Sequence, residues 1–289
     1  MRYLNADQTR AALPMPDAID AMRQAFSGNA QTPLRVALGG SLVMPGLLDD
    51  HMAIKVVSTV PGNPVGLVAL FDVSGSPLGI LDAPTLTAIR TGAVSGLATD
   101  LLAAKQASTL AMLGSGAMAP DQIAAVKAVR EIEHLRIWSR SHEKAQTLAD
   151  RVGGEAISDA DEAVKGADVI SCATPSKSPL FDDQSVKAGA HVNAVGGFTP
   201  EMVEVPGALL ARAYVVVDDV EAAASEAGDL IQAHRDPDTT LRELLSERHP
   251  EIGDGITVFK SVGVAAQDVA AAHVALDNAE RLGLGSVLV

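Results

Sequence analysis

Residues 108–129, with the sequence STLAMLGSGAMAPDQIAAVKAV, constrain the fold of this chain more than any other stretch. They combine an apolar run typical of a buried strand, a turn of small residues at Gly114, Gly116 and Ala119, and an amphipathic helical pattern. In such a turn, backbone N–H groups and a helix N-terminus face outward and bind the pyrophosphate of a dinucleotide. A second apolar run follows at residues 135–138, at the spacing of a βαβ unit. The segment therefore predicts a dinucleotide site, with a purely structural tight turn as the alternative.

The position of this segment predicts two domains, because it begins at residue 108 of a chain of 289 residues. From there onward, apolar runs alternate with helical patterns, which is typical of a parallel sheet covered by helices on both faces. We expect an α/β fold in which residues 108–264 form a Rossmann-type, doubly wound parallel sheet. Its strands are predicted at residues 109–113, 135–138, 167–173, 191–195, 214–218 and 256–261.

Residues 1–107 have a different pattern and predict a second, α+β domain. Short apolar runs joined by tight turns indicate a mostly antiparallel sheet. Its strands are predicted at residues 34–38, 41–44, 52–59, 67–71 and 78–81. Helices are predicted in this region at residues 17–26 and at residues 86–102 after Pro84. A separate helix is predicted near the end of the sequence, at residues 265–282.

Composition and charge exclude several classes of partner. The chain has 47% hydrophobic residues but only 3% aromatic residues, so its core must be built from Ala, Val, Leu and Ile. Its net charge of −14 argues against nucleic acid or an anionic membrane as a partner. The single Cys172 and the scattered histidines have no metal-ligand spacing, so we expect no metal site. No apolar run reaches the roughly 18–20 residues of a membrane span, and no signal-like core opens the sequence, so we expect a cytoplasmic protein.

The residues after the second strand of the parallel sheet indicate which dinucleotide binds. NAD-binding domains usually end this strand in Asp or Glu, which accepts a hydrogen bond from the ribose 2′-hydroxyl. Here the strand is followed by Ser139, Arg140 and Ser141, and the first carboxylate is Glu143, inside the next helix. A guanidinium with two hydroxyls suits a 2′-phosphate, so we expect NADPH, with NADH still possible. The alternative is that Arg140 is a solvated residue at the start of a helix.

Three basic residues lie in apolar surroundings in the first domain, namely Arg35, Lys55 and Arg90. A buried charge is costly unless it is paired or bound to a ligand, although each side chain alone can reach the surface along its aliphatic stem. Three such residues in a protein with a nucleotide site favour a common anionic substrate. A carboxylate is the simplest anion that an arginine binds through two hydrogen bonds.

Several longer motifs resemble those of a known family. They are KVV followed by Pro61-Gly62-Asn63, LFDVSGSPLGILDAPTLTAIRTGA, HVNAVGGFTPEMVEV, VVVDD and ITVFKSVGVAAQD. Together with the glycine turn, they make the chain similar to the ornithine cyclodeaminase/mu-crystallin family over nearly its whole length. The block that ends in Arg90-Thr91-Gly92-Ala93 is specific to this family, whereas the glycine turn alone is not.

The resemblance implies a first domain that binds substrate and forms a homodimer. This domain would consist of residues 1–107, completed by residues 265–289. Arg35, Lys55 and Arg90 would face the substrate carboxylate and the reacting carbon. The resemblance and the basic pattern thus point to the same three residues.

The resemblance also adds residues to the predicted cofactor site. Arg90 and Thr91 would approach the cofactor phosphates, and Val262 and Gly263 would lie near the nicotinamide. The complete predicted cofactor site is Arg90, Thr91, Gly114, Ser115, Gly116, Ala117, Ser139, Arg140, Ser141, Ala173, Thr174, Val262 and Gly263.

One departure from the family pattern bears on the reaction. Cyclodeaminases of the family resemble GGD-C-P-G-K after the fifth strand, where the Asp acts on the substrate amine. This chain reads GGFTPEM, so Phe198 stands at the Asp position and Met202 at the Lys position. Members with GGF-T-P at this point are similar to imine reductases. The resemblance therefore implies an imine reductase rather than a deaminase.

We expect reduction of a small cyclic imino acid, with Δ1-pyrroline-2-carboxylate giving L-proline and the six-membered Δ1-piperideine-2-carboxylate as a related substrate. Lys55 is the predicted proton donor, or it orders the water that supplies the proton. Binding of the carboxylate alone is the alternative role for Lys55. The short loop at residues 60–66 leaves the substrate size open.

Two other functions remain open from the sequence. The chain could be an amino-acid dehydrogenase or a cyclodeaminase that uses another carboxylate, such as Asp218, Asp219 or Glu201. It could also be a catalytically silent nucleotide-binding protein, although the basic residues in the first domain argue against this.

Overall fold

The computed structural model describes residues 1–60, 65–246 and 254–288. Within these ranges lie two eight-stranded sheets, one mostly antiparallel and one parallel, so the predicted α/β fold class is confirmed. The motif Pro61-Gly62-Asn63, and with it most of the short loop at residues 60–66, lies outside the described residues.

The elements are numbered in chain order. The strands are β1 (Arg2–Leu4), β2 (Ala30–Gln31), β3 (Val36–Leu38), β4 (Ser41–Leu48), β5 (His51–Ser58), β6 (Gly66–Asp72), β7 (Pro77–Asp82), β8 (Thr109–Leu113), β9 (His134–Trp138), β10 (Glu155–Ala156), β11 (Val169–Cys172), β12 (His191–Ala194), β13 (Tyr214–Val217), β14 (Thr239–Thr240), β15 (Thr257–Lys260) and β16 (Ser286–Val287). The α-helices are α1 (Ala6–Ala12), α2 (Met15–Ser27), α3 (Ala83–Leu102), α4 (Ala119–Val129), α5 (His142–Val152), α6 (Ala160–Val164), α7 (Gly207–Arg212), α8 (Val220–Glu226), α9 (Gly228–Ala233), α10 (Leu241–Ser246) and α11 (Ala265–Leu282).

The first compact unit comprises Met1–Ala93 and Val264–Val289. Its sheet has the order β16-β1-β7-β6-β5-β4-β2, with β3 also paired to β4. The pairs are antiparallel apart from β1 with β7. In the interior strand β5, Lys55 lies opposite Met44 of β4 and Val68 of β6. This register places a basic side chain among apolar neighbours.

One close approach fixes α11 on this sheet. A Cβ atom added at Gly46 of β4 would lie 2.6 Å from the Cβ of Ala265, the first residue of α11. Real Cβ atoms do not approach one another so closely, so the start of the helix can rest against the strand only because residue 46 has no side chain. Gln267 and Asp268, in the first turn of α11, are brought to the sheet by this contact.

The second compact unit is Val94–Gly263. Its sheet has the order β10-β9-β8-β11-β12-β15-β13-β14, and all its strand pairs are parallel. Strands β8, β11, β12 and β15 are buried along their whole length, as expected for a parallel sheet covered on both faces. The chain leaves β8 toward β9 on one side and reaches β11 on the other. This reversal of strand order creates a crevice at the carboxyl ends of the strands, where ligands bind in such sheets.

The two compact units divide between Ala93 and Val94, inside α3. The sequence prediction instead divides the domains after residue 107, where the apolar pattern changes. An uninterrupted, largely buried helix such as α3 has no break in its pattern at which a boundary can be recognised. The division into residues 1–107 with 265–289 and residues 108–264 therefore stays a prediction.

Candidate functional site

The glycine turn follows β8 and joins three neighbouring strand ends. Gly114 has a φ angle of +118°, a conformation that side chains disfavour, and a Cβ atom added there would lie 2.7 Å from the carbonyl oxygen of Ala173. Its N–H donates to the carbonyl oxygen of Trp138 at 2.8 Å. Residue 114 thus touches the residues that end β9 and follow β11. A Cβ atom added at Gly116 would meet no atom within 4 Å, so the turn also faces open space.

A cavity of about 220 Å³ lies beside this turn. It brings together seven residues of the predicted cofactor site, and Ala117 and Ser141 are not among its lining residues in the described part of the chain. The hydroxyl of Ser141 accepts a hydrogen bond from the N–H of Lys144 and caps α5. The lining residues are Gly114, Ser115, Gly116, Trp138, Ser139, Arg140, Lys144, Ala173, Thr174, Pro175, Ser176 and Leu180.

Lys144 is a lining residue that the sequence interpretation missed. It lies in the first turn of α5, four positions after Arg140, and both side chains are exposed. The hydroxyl of Ser115 donates to that of Ser139 at 3.0 Å, at the same end of the sheet. Two cations and two hydroxyls therefore meet at the position where a 2′-phosphate binds in NADP-dependent sheets of this type.

Asp218 fixes the segment that contains Val262 and Gly263. Its Oδ2 atom accepts from the hydroxyl of Ser261 at 2.7 Å, from the N–H of Val262 at 3.1 Å and from the N–H of Gly263 at 2.6 Å. Asp218 follows β13 and the three donors follow β15, its parallel neighbour. The carboxylate therefore acts within the fold, as the anchor of the predicted nicotinamide segment.

Asp219 and Glu201 are the two other carboxylates that the sequence analysis considers for a deaminase. Their surroundings differ from those of Asp218. Asp219 caps α8, accepting from the N–H of Ala222 at 2.8 Å. Glu201 is exposed, and the side-chain hydrogen bond of Thr199 lowers its pKa. Phe198, which the resemblance implies stands in place of the deaminase Asp, is 37% exposed.

A buried acidic residue, Glu204, shapes the loop before Phe198. One carboxylate oxygen accepts from the N–H of Thr174 at 2.6 Å and from its hydroxyl at 2.9 Å. The other accepts from the N–H groups of Gly196 and Gly197 at 2.7 and 3.2 Å. Burial raises the pKa of Glu204, and its four donors favour the charged form. The ends of β11 and β12 are thereby joined through one side chain.

A buried ion pair stabilises the same loop before Phe198. Lys260, the last residue of β15, lies 2.7 Å from the Asp229 carboxylate and donates to the carbonyl oxygen of Gly197 at 2.7 Å. The other carboxylate oxygen of Asp229 accepts from the N–H groups of Glu204 and Val205 at 2.6 and 2.9 Å. Both charged side chains are fully buried. The sequence interpretation assigned no role to any of these residues.

The first unit contains a separate buried cluster of charges. The Lys55 ammonium lies 2.8 Å from Oδ2 of Asp268, and Nε of Arg90 lies 3.2 Å from Oδ1 of the same carboxylate. Nη1 of Arg90 also donates to Oε1 of Gln267 at 2.6 Å. Lys55 and Asp268 are each 1% exposed, and Arg90 is 5% exposed. The structure thus brings two of the three predicted basic residues together around one acid.

Burial lowers the pKa of Lys55 to about 8. The Asp268 carboxylate opposes this effect, whereas the positive charges of Arg90 and Arg35 add to it. Arg35, in the loop before β3, is partly buried and close enough for its charge to act on Lys55. Even without Arg35, the cluster has two positive charges against one negative charge, and such a buried imbalance favours an anionic ligand.

Among the residues that the structure describes, no group of three or more His, Cys, Asp or Glu side chains is arranged to bind a metal ion. None of the helices in the described ranges is long and apolar enough to cross a membrane.

Comparison with known proteins gives matches along almost the entire chain. A Delta(1)-pyrroline-2-carboxylate reductase of Bacillus cereus is 35% identical, covering 99% of this chain and 98% of the relative. The ketimine reductase mu-crystallin of Mus musculus is 34% identical over 92% of this chain and 90% of the relative. The structure of Thermococcus litoralis Delta(1)-pyrroline-2-carboxylate reductase in complex with NADH and L-proline is 28% identical and covers 100% of both chains, with a TM-score of 0.92. The model of the ornithine cyclodeaminase/mu-crystallin family matches residues 6–282, and the chain belongs to this family.

Proposed function

We propose that this protein reduces the C=N bond of a small cyclic imino acid with NADPH, and that Δ1-pyrroline-2-carboxylate, which gives L-proline, is its favoured substrate. The observation that carries the proposal is the buried cluster of Lys55, Arg90 and Asp268, in which positive charge exceeds negative charge. Relatives named for this reaction, at 33–35% identity, support the choice of substrate.

The substrate carboxylate is bound by the arginines in this proposal. A carboxylate and a guanidinium form two parallel hydrogen bonds, which fix the orientation of the ring as well as its position. Arg90 is itself oriented by Asp268 and Gln267, so little freedom is lost when the substrate binds. Arg35 supplies the second positive charge.

Lys55 donates the proton in this proposal. A protonated imine is the better electrophile, so the imine nitrogen needs a proton before or as the carbon is reduced. With a pKa of about 8, Lys55 is largely an ammonium group at neutral pH and still a competent acid. The hydride for the imine carbon would come from NADPH when it is bound. The nitrogen gains the proton, and the secondary amine and the oxidised cofactor are the products.

The residues beside the glycine turn fit a dinucleotide phosphate. The space in front of Gly116 leaves the turn accessible to an anion, and α4 begins three residues later. Arg140 and Lys144 supply positive charge for a 2′-phosphate, and this supports NADPH over NADH. NADH remains the second candidate cofactor, because Ser139 can also meet an unphosphorylated ribose.

We also infer a homodimer in the cytoplasm. Exposed apolar side chains on β3 support the dimer, since Val36 is 54% and Leu38 is 71% exposed. Light scattering at several protein concentrations measures the assembly, and a monomer at all of them contradicts it. Cell fractionation tests the location.

The reaction is tested by NADPH oxidation with a panel of cyclic and linear imino acids. We expect the five-membered Δ1-pyrroline-2-carboxylate to give the highest kcat/KM and the product to be L-proline. Ammonia release is measured in parallel with ornithine and with alanine in the presence of NAD(P)⁺. Absence of NADPH oxidation with every imine, or faster turnover in the ammonia assays, overturns the proposal.

A further inference from the structure

Asp268 contacts both basic side chains of the buried cluster in the first unit. Its two carboxylate oxygens are divided between them, with Oδ2 at 2.8 Å from the Lys55 ammonium and Oδ1 at 3.2 Å from Nε of Arg90. A single carboxylate therefore fixes the distance between an ammonium group and a guanidinium group that come from different elements, β5 and α3.

We propose that Asp268 is the positioning residue of the substrate site, which holds Lys55 charged and directs it and Arg90 toward one substrate. This inference rests on the proposed function, because it takes Lys55 as the proton donor and Arg90 as a carboxylate ligand. It assigns no contact with the substrate to Asp268 itself, which acts through the two cations.

The packing of α11 supports this role. Gln267 and Asp268 are adjacent in the first turn, and together they contact two nitrogen atoms of the Arg90 guanidinium. Both side chains are buried, and the start of the helix rests on the backbone of β4 at Gly46. The guanidinium is thus oriented by a rigid element rather than by a loop.

The charges around Lys55 explain why it needs this partner. From α11 it faces the Asp268 carboxylate, from α3 it faces Arg90, and the loop before β3 contributes the charge of Arg35. The neighbours on the flanking strands, Met44 and Val68, are apolar. Of these groups, Asp268 stabilises the ammonium form, whereas burial and both arginines favour the neutral amine. Without the carboxylate, Lys55 would lose its proton at a lower pH.

The first test compares pH–rate profiles of the full-length wild type, Asp268→Asn and Asp268→Glu, with Δ1-pyrroline-2-carboxylate and NADPH. Above the pKa of Lys55, kcat/KM falls because the proton donor is lost. In Asp268→Asn we expect this alkaline limb to begin at least about one pH unit lower, since a neighbouring opposite charge shifts a pKa by about that amount. We expect kcat near neutral pH to fall on the order of 100-fold, with partial recovery in Asp268→Glu.

Asp229→Asn is the matched control. It breaks the other buried Asp–Lys pair, in which Lys260 and Asp229 lie 2.7 Å apart and are fully buried. We expect this variant to lose stability but to keep the alkaline limb at the wild-type pH. If the limb of Asp268→Asn also stays at the wild-type pH, or if both variants shift it equally, the proposal is wrong.

The second test does not require activity. The free energy of unfolding is measured against pH for the wild type and Asp268→Asn, each compared with the same protein carrying Lys55→Met. The difference within each pair reports the titration of Lys55, because the folded state releases the Lys55 proton before the unfolded state does. We expect the difference to change at lower pH in the Asp268→Asn pair. If the difference changes at the same pH in both pairs, the role of Asp268 is wrong even when the wild type is an active reductase. If the wild type is inactive but the titration of Lys55 is shifted in the Asp268→Asn pair, only the proposed function is wrong.

Discussion

Lys55 of β5 and Asp268 of α11 form a buried ion pair with a distance of 2.8 Å. The two residues come from the two separate segments of the first unit, Met1–Ala93 and Val264–Val289, and each is 1% exposed. A cation so deeply buried needs a partner or a ligand to stay charged. The ion pair with Asp268 therefore stabilises the charged form of the same side chain that we propose as the proton donor.

Lys55→Met should reduce kcat/KM for the imino acid on the order of 100-fold, the usual contribution of a positioned acid. Methionine keeps most of the buried volume, and Asp268 retains its contact with Arg90. Steady-state NADPH oxidation measures the loss, and Lys105→Met, at a side chain that is 77% exposed, is the control. A value close to that of the wild type would remove Lys55 from the mechanism.

The activity of the wild type should fall as the pH rises through about 8. Burial lowers the pKa of Lys55 to about 8, so the group is an ammonium below this pH and a neutral amine above it. The donor form is therefore lost on the alkaline side. The limb should appear in kcat/KM, and Lys55→Met should lack it. A flat profile well above this pH in the wild type would contradict the assignment.

Arg140→Ala should weaken the binding of NADPH by about tenfold or more and leave NADH binding nearly unchanged, because only NADPH carries the 2′-phosphate. Lys144→Ala should act in the same direction with a smaller effect. Fluorescence titration with both cofactors gives the two dissociation constants. Lys165→Ala, at a side chain that is 70% exposed and paired with Glu162, is the control. Equal weakening of both cofactors would show that Arg140 does not distinguish them.

The stability of the protein should decline as the pH falls below about 6.5, because of His191. Burial lowers the pKa of His191 to about 4, whereas an unfolded chain has the ordinary value near 6.5. The unfolded state therefore binds the proton first, and this group destabilises the fold progressively down to about pH 4, by roughly 3 kcal/mol in total.

Urea unfolding across this pH range tests the His191 prediction. His191→Gln removes the titrating group while retaining polar atoms near Thr257 and Asn193, its hydrogen-bond partners. We expect a smaller decline in this variant, whereas His134→Gln, at an exposed position, should keep the wild-type dependence. An equal decline in His191→Gln and the wild type would assign the acid sensitivity to other groups.

Long periodic segments of the fold could be predicted from the sequence. The strand at residues 109–113 and the helix at residues 265–282 have the predicted bounds, because each has a continuous apolar pattern. Strand β1 could not be predicted, since its three residues are too few to show a period and it forms through pairing with Gly79–Leu81 of β7. Strand β16 is shorter still and depends on β1.

The site could be predicted only in part. Lys55 and Arg90 were found because a charge stands out in an apolar segment, and the structure places them at one carboxylate. That carboxylate, Asp268, lies in the first turn of an Ala-rich helix, where an acidic residue is common because it suits the helix dipole. Glu204 was missed for a related reason, since its role depends on donors at Thr174 and Gly196 that only the folded sheet brings near it.

The way in which Glu204 holds the loop after β12 has a consequence for the evolution of this scaffold. The backbone at Gly196 and Gly197 is held by hydrogen bonds to the side chains of Glu204 and Lys260, and none of these bonds involves the side chain of Phe198. Position 198 can therefore change its chemistry while the frame around it stays intact.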